Sequence, residues 1–165
     1  MIQTQVCIRT ATEADAGAVR AFLAGLSPDT QYQRFFTGLG SVSPSLVREL
    51  VTVTPRQRIL LAVAGGEVVG HAMASTNALD AVELGVVVAD GYRHRGLGTR
   101  LVRGLLEQVI DAGADRLQLD VLGENDVVLD WIRRSLPGTL FERDGYTVTG
   151  HAPLTRAMIE IPVAV

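Results

Sequence analysis

Lysine is absent from this chain. All 15 basic residues are arginine, and 18 acidic residues bring the net charge to −3, which excludes the basic stripe of a dedicated nucleic-acid binder. A single cysteine, Cys7, excludes an internal disulfide framework and any cysteine-rich zinc site. No apolar run approaches the roughly 18 residues of a membrane span, and no charged segment followed by an apolar one opens the chain. His71, His94 and His151 are scattered and show no metal-ligand spacing. These absences lead to the expectation of a cytoplasmic protein with no metal, nucleic-acid or membrane partner. Cys7 itself reads as a core residue.

What is present is enough apolar residue to build a domain. At 165 residues and 47% apolar, residues 1–165 fit one domain that removes roughly two-thirds of its unfolded surface from water. The alternation over Gln3–Thr10 predicts a first strand with Val6 and Ile8 on one face and Cys7 on the other. Thr12 opens a helix with Asp15 three residues on, a capping-box variant, and Val19, Phe22 and Leu23 form its apolar face. Ser27 caps a second helical stretch through Phe36, and Ser43 a third at Pro44–Val51 with proline in its first turn. Arg58–Ala64, Gly65-Gly66 and Val68–Ser75 then read as a hairpin, followed by a strand over Ala81–Val88. A helix over about Gly96–Ala112, a strand over Arg116–Leu122 and a helix over Asn125–Ser135, with Trp131 packed on the sheet, come next. A second hairpin (Thr139–Arg143 and Tyr146–His151) and a last strand at Met158–Val163 complete the pattern.

The stretch from Val86 to Thr99 carries the most information. A strand ends in a turn, and Arg93-His94-Arg95-Gly96-Leu97-Gly98 opens directly onto a helix with apolar residues at Leu97, Leu101, Leu105 and Val109. That order aims several free backbone N–H groups and the positive end of a helix dipole at one point. Glycines at 96 and 98 let an anion approach the backbone, and the arginines add charge. The loop lacks the Lys-Ser/Thr ending of a P-loop and the third glycine of a dinucleotide fingerprint.

Arg93–Gly98 resembles the Q/R-x-x-G-x-G/A signature of the GNAT (GCN5-related N-acetyltransferase) superfamily, which holds the pyrophosphate of acetyl-CoA. The element order matches over nearly the whole chain. The resemblance implies an α/β fold with a mixed, mostly antiparallel sheet flanked by helices and splayed between its fourth and fifth strands. A narrower likeness lies in Leu26-Ser27-Pro28-Asp29-Thr30-Gln31-Tyr32-Gln33-Arg34-Phe35-Phe36. It is similar to the LS-x-E-(S/T)-x-Y-x-R-F-F stretch of bacterial Pat-type protein-lysine acetyltransferases, where this helix walls the acceptor groove. That implies an acceptor role for Arg34 and Phe36. The same residues also fit a core-facing aromatic pair beside a surface arginine.

Amine acetylation needs a neutral nucleophile, and a lysine ammonium with a pKa near 10.4 must lose its proton at a cost of roughly 4 kcal/mol near neutral pH. Glu83 is the candidate base. It interrupts the apolar strand that leads into the loop, surroundings in which desolvation moves a carboxylate toward a useful base. By resemblance it falls on the Pat-type general base. The alternative is a carboxylate facing solvent or pairing with an arginine. Gly85 in that strand marks a bulge or a close backbone approach.

The resemblance further implies acetyl-CoA contacts at Val86, Val87 and Val88 through their backbone, at Arg93, His94, Arg95, Gly96, Leu97, Gly98 and Thr99, and at Asn125, which also fits a helix N-cap. Many family members carry a tyrosine that protonates the departing thiolate. Here the aligned position is Ile132 or Phe141, and neither has a hydroxyl. The reading is therefore acetyl transfer from acetyl-CoA to a primary amine, a protein lysine by the Leu26–Phe36 likeness. A small-molecule amine acceptor and a non-catalytic acyl-CoA sensor are the rival readings. Homodimerisation, and exchange of the last strand between copies, stay open.

Overall fold

The computed structural model describes residues 4–160. Seven strands form one sheet in the order β1-β2-β3-β4-β5-β7-β6. They are β1 (Val6–Thr10), β2 (Gln57–Ala64), β3 (Glu67–Thr76), β4 (Val82–Val88), β5 (Arg116–Leu122), β6 (Leu140–Asp144) and β7 (Thr147–Pro153). Every neighbouring pair is antiparallel except β4 and β5. This is the mixed, mostly antiparallel arrangement expected from the sequence.

The helices divide between the two faces of the sheet. α4 (Leu97–Asp111) and α5 (Asp126–Ser135) cover one face. There Leu101, Leu105 and Leu106 of α4 pack with Leu60, Ala72, Val82 and Leu117 of the strands and Ile132 of α5. The i, i+4 spacing puts these α4 residues on one stripe. α1 (Ala16–Ala24), α2 (Pro28–Phe35) and α3 (Pro44–Glu49) lie on the other face. Val19 and Leu23 of α1 meet Ile59, Leu61 and Val87 there.

The helix starts follow the expected caps. Ser27 Oγ accepts the Thr30 N–H at 3.2 Å, and Ser43 Oγ accepts that of Leu46 at 3.2 Å. Asp15 accepts the Thr12 N–H at 2.8 Å and the Arg9 guanidinium at 2.6 Å, closing a 3-10 turn at Glu13–Asp15 ahead of α1.

Two expectations are corrected. Cys7 is exposed, because β1 is an edge strand and Cys7 faces away from the layer that Val6 and Ile8 pack against. The last predicted strand, Met158–Val163, is instead a 3-10 turn over Arg156–Glu160 where described. β5 and β6 already flank β7, so the chain that leaves β7 has no place beside it. Met158 therefore plugs the core beside α4, and Arg156 reaches Asp111 at 2.7 Å. Gln3 and residues 161–163 of these predicted strands lie outside the described residues.

Candidate active site

β4 pairs with β3 along its whole length, from Thr76↔Val82 to Gly70↔Val88. Its pairing with β5 ends after Val82↔Leu117 and Glu83↔Gln118. Beyond Glu83 the two strands part, and the inner backbone edge of Leu84–Val88 has no strand partner. A cleft of about 610 Å³ opens there. β4 and β5 form its floor, α2 one side, and the starts of α4 and α5 the other. Unpaired peptide groups at such a gap call for a ligand that can replace the missing strand.

The glycine loop closes one end of the cleft. A 3-10 turn at Asp90–Tyr92 leads into left-handed residues His94 (φ 59°) and Gly96 (φ 70°), and α4 begins at Leu97. No side chain caps α4, so the N–H groups of its first turn, at Leu97, Gly98 and Thr99, are free for an anion.

Arg93 lines the cleft, and its Nη2 donates to Thr30 Oγ1 at 2.7 Å. The same hydroxyl donates to Asp90 Oδ1 at 2.7 Å, and Asp90 also accepts the Ser27 N–H at 3.1 Å. These bonds, the one from Thr30 foremost, hold the Asp90 carboxyl below the ordinary carboxylate value. They tie the start of α2 to the glycine loop, a link the sequence reading missed because its partners lie about sixty residues apart.

Gly98, Thr99, Val86, Val87, Val88 and Asn125 also line the cleft. His94, Arg95, Gly96 and Leu97 do not. Arg95 lies over the Tyr92 ring at 5.4 Å, and the Leu97 side chain is in the core, which leaves its backbone facing outward. Asn125 is the N-cap of α5, accepting the Val128 N–H at 3.3 Å. Trp131 reaches across to donate to Thr99 Oγ1 at 3.3 Å, fastening α5 to the first turn of α4.

Glu83 lies in the cleft wall at the point where β4 and β5 part. Its Oε1 accepts the Asn77 side-chain N–H at 2.9 Å. Asn77 is itself oriented, because its Oδ1 accepts the Leu79 and Ala81 N–H groups at 2.9 and 3.1 Å. Asn77 read as a linker residue in the sequence. Asx turns of this kind are common in loops, and nothing local pointed it at Glu83.

Arg34 projects from α2 onto β4. Its guanidinium lies against Gly85, where a Cβ would come within 2.9 Å of Nε. The β3–β4 register is unbroken at this place, so Gly85 marks a close approach and no bulge. Burial pushes the Arg34 pKa down, and Glu49 partly restores it. Below it His71 is buried and donates from Nε2 to the Leu50 carbonyl at 2.9 Å. Burial lowers His71 to about 4, opposed by that bond and reinforced by Arg34.

Phe36 ends α2 with φ 60°, lines the cleft and stays 38% exposed, whereas Phe35 packs against the α1–α3 core. Phe35 lines the cleft as well, so one ring bridges core and cleft while the other stands in the cleft alone. Ile132 is buried, and Phe141 lies on β6 under the Arg133 guanidinium. No tyrosine lines the cleft among the described residues.

The mixed sheet whose fourth and fifth strands part over a cleft is the frame of an acyltransferase fold. Residues 17–136 match the model of the acetyltransferase (GNAT) family. The chain belongs to that family and is an N-acetyltransferase. No curated protein sequence matches it. Among solved structures it is similar to the GNAT domain of Streptomyces lividans PAT, at 21% identity with a TM-score of 0.81 over 89% of each chain. A GNAT-family acetyltransferase from Streptococcus pneumoniae aligns at 21% identity and TM-score 0.75, over 92% of this chain and all of the other. The PaiA N-acetyltransferase of Thermoplasma acidophilum, solved in complex with coenzyme A, aligns at 18% identity and TM-score 0.68, over 90% and 99%. At these identities the likeness concerns the fold.

Proposed function

We propose that this domain transfers the acetyl group of acetyl-CoA to a primary amine by direct attack in a ternary complex, in the cytoplasm. The observation that carries this is the position of Glu83, an oriented carboxylate where β4 and β5 separate beside an unpaired backbone edge. The backbone of Val86–Val88 takes the pantetheine arm as a substitute strand. The free N–H groups at the start of α4, with Arg93, take the pyrophosphate. Glu83 accepts a proton from the amine, directly or through a water. The amine nitrogen then bonds to the thioester carbonyl carbon and releases its second proton to solvent, the C–S bond breaks, and the coenzyme A thiolate leaves and takes a proton from solvent. Acetyl-CoA is consumed as a substrate, and no metal enters these steps.

The likeness of Leu26–Phe36 to Pat-type enzymes supports a protein lysine as acceptor. A small-molecule amine is the second reading, favoured by the unpaired Arg34 in the cleft. Free-thiol release from acetyl-CoA, followed against an amine library and against a protein lysate with mass spectrometry, tests both. Acetylated lysines in the lysate support the first reading and acetylated library members the second. Thiol release in neither defeats the acetyl-transfer assignment.

A further inference from the structure

Arg34 is a cation without a counter-ion in the wall of the cleft. Its Nε is buried and has no hydrogen-bond partner, and no ion pair among the described residues includes its guanidinium. Other arginines of this chain do find carboxylates: Arg9 meets Asp15 at 2.6 Å, Arg133 meets Asp130 at 2.9 Å and Arg156 meets Asp111 at 2.7 Å. The guanidinium lies 4.8 Å from the Phe35 ring, whose π face attracts it but offers its Nε–H no hydrogen-bond acceptor of the ordinary kind, and a cation enclosed on that side with no carboxylate is costly for a fold to hold. The protein nevertheless keeps one here and places a glycine at 85 to admit it.

Its surroundings supply no anion at contact. Glu49 acts on Arg34 only from beyond ion-pair distance, and His71, below it, is itself a base. Glu83 points into the same cleft from the same face of β4, two residues before Gly85, so their Cα atoms are about 6.6 Å apart along the strand. Its carboxylate is held by Asn77 and does not pair with Arg34. One cleft therefore presents an acid and a cation side by side and kept apart. That is the complement of a molecule carrying an amine at one end and a carboxylate nearby.

We propose that the acceptor is an amine that also bears a carboxylate, its nitrogen delivered to Glu83 and its carboxylate bound by the Arg34 guanidinium. This rests on Glu83 being the base of the transfer reaction. A guanidinium recognises a carboxylate through paired N–H donors. The carboxylate can belong to a free amino acid or to an acidic residue beside the target amine in a peptide, and the chemistry at Arg34 is the same.

The test compares each acid with its own amide, which keeps size and removes charge. One arm uses free ω-amino acids of two to five carbons and their amides; the other uses peptides with Lys-Asp against Lys-Asn. Wild-type kcat/KM is expected to favour the acid about ten- to a hundredfold, the range for a hydrogen bond to a charged group. Preference in the first arm identifies a small amino acid, and in the second a flanking acidic residue. Arg34→Gln brings the ratio near one and Arg34→Lys keeps part of it. Gly85→Ala, which retains the charge but fills its place, also lowers the ratio.

A thermal-shift titration in the presence of coenzyme A, with N-acetyl-β-alanine against its amide, reads the same preference without turnover. If no amine is acetylated but the acid still stabilises wild type more than the amide, and not Arg34→Gln, the carboxylate site stands and the transfer reading fails. Equal handling of acid and amide by the wild type in turnover and in binding overturns the proposal. So does a preference that survives Arg34→Gln, or a loss in that variant confined to acetyl-CoA affinity.

Discussion

The Asn77 side-chain amide donates to Glu83 Oε1 at 2.9 Å while its own carbonyl is held by the N–H groups of Leu79 and Ala81. A loop residue thus aims the carboxylate that the β4 strand supplies. Glu83→Gln is expected to lower kcat about 10²- to 10³-fold at neutral pH, the range that general bases contribute. Part of the loss should return at high pH, where the acceptor deprotonates unaided. Asn77→Ala should cost less, roughly tenfold in kcat with KM for acetyl-CoA unchanged, and Asn77→Gln should recover part of it. Unaltered kcat in both Glu83→Gln and Asn77→Ala would remove this pair from the mechanism.

Gly96 caps α4 at φ 70° in front of three free N–H groups. Gly96→Glu should abolish the thermal stabilisation by acetyl-CoA, by placing bulk and negative charge where the pyrophosphate sits. Gly96→Asn is the control for backbone strain, since asparagine tolerates the left-handed region. It should fold normally and keep measurable stabilisation. No response of the wild type at millimolar acetyl-CoA would defeat the anion-cradle reading.

His71 makes the fold acid-sensitive. Its folded pKa of about 4 lies below the ordinary 6.5, so between those values the unfolded chain binds more protons and stability rises with pH. The contribution is complete above about pH 6.5 and is lost as pH falls toward 4, on the order of 3 kcal/mol in all. Asp15, held far below the ordinary 3.8 by Arg9, adds its own loss at still lower pH. Urea melts at pH 7.5 and 5.0 should show this slope in the wild type. His71→Gln, which keeps a donor for the Leu50 carbonyl, should flatten it.

Phe36 stands in the cleft and outside both buried clusters. Phe36→Ala should raise KM for the acceptor while the melting temperature falls by no more than a few degrees. A large loss of thermal stability with both substrates affected equally would show that the ring is structural.

A chain without lysine offers a clean assay background. Incubated with acetyl-CoA alone, the protein should gain no stable acetyl group beyond the N-terminal amine. Intact-mass measurement after mild hydroxylamine treatment reads this directly, and a stable internal acetyl group would contradict it.

Much of this architecture was already present in local patterns. The alternation of β1, the i, i+4 stripe of α4, the Ser27 and Ser43 caps and the glycine loop are all set by residues within a few positions of one another. Such short-range steric and hydrogen-bonding preferences are what a sequence displays. The strand placed at Met158–Val163 failed over its described residues where a long-range fact intervened, since Met158 is drawn into the core beside α4.

Gly85 marks the boundary between the two kinds of information. A glycine inside a strand announced a bulge or a close approach, and the sequence by itself determined no more than that. That the visitor is the Arg34 guanidinium, fifty-one positions earlier and without a counter-ion, was decided by the tertiary structure. So were the bonds from Thr30 to Arg93 and from Trp131 to Thr99. Which polar groups find partners across a sheet, and which are left unpaired in a cleft, depends on how whole helices settle on its faces. Packing of the entire core sets that arrangement, and no local stretch encodes it.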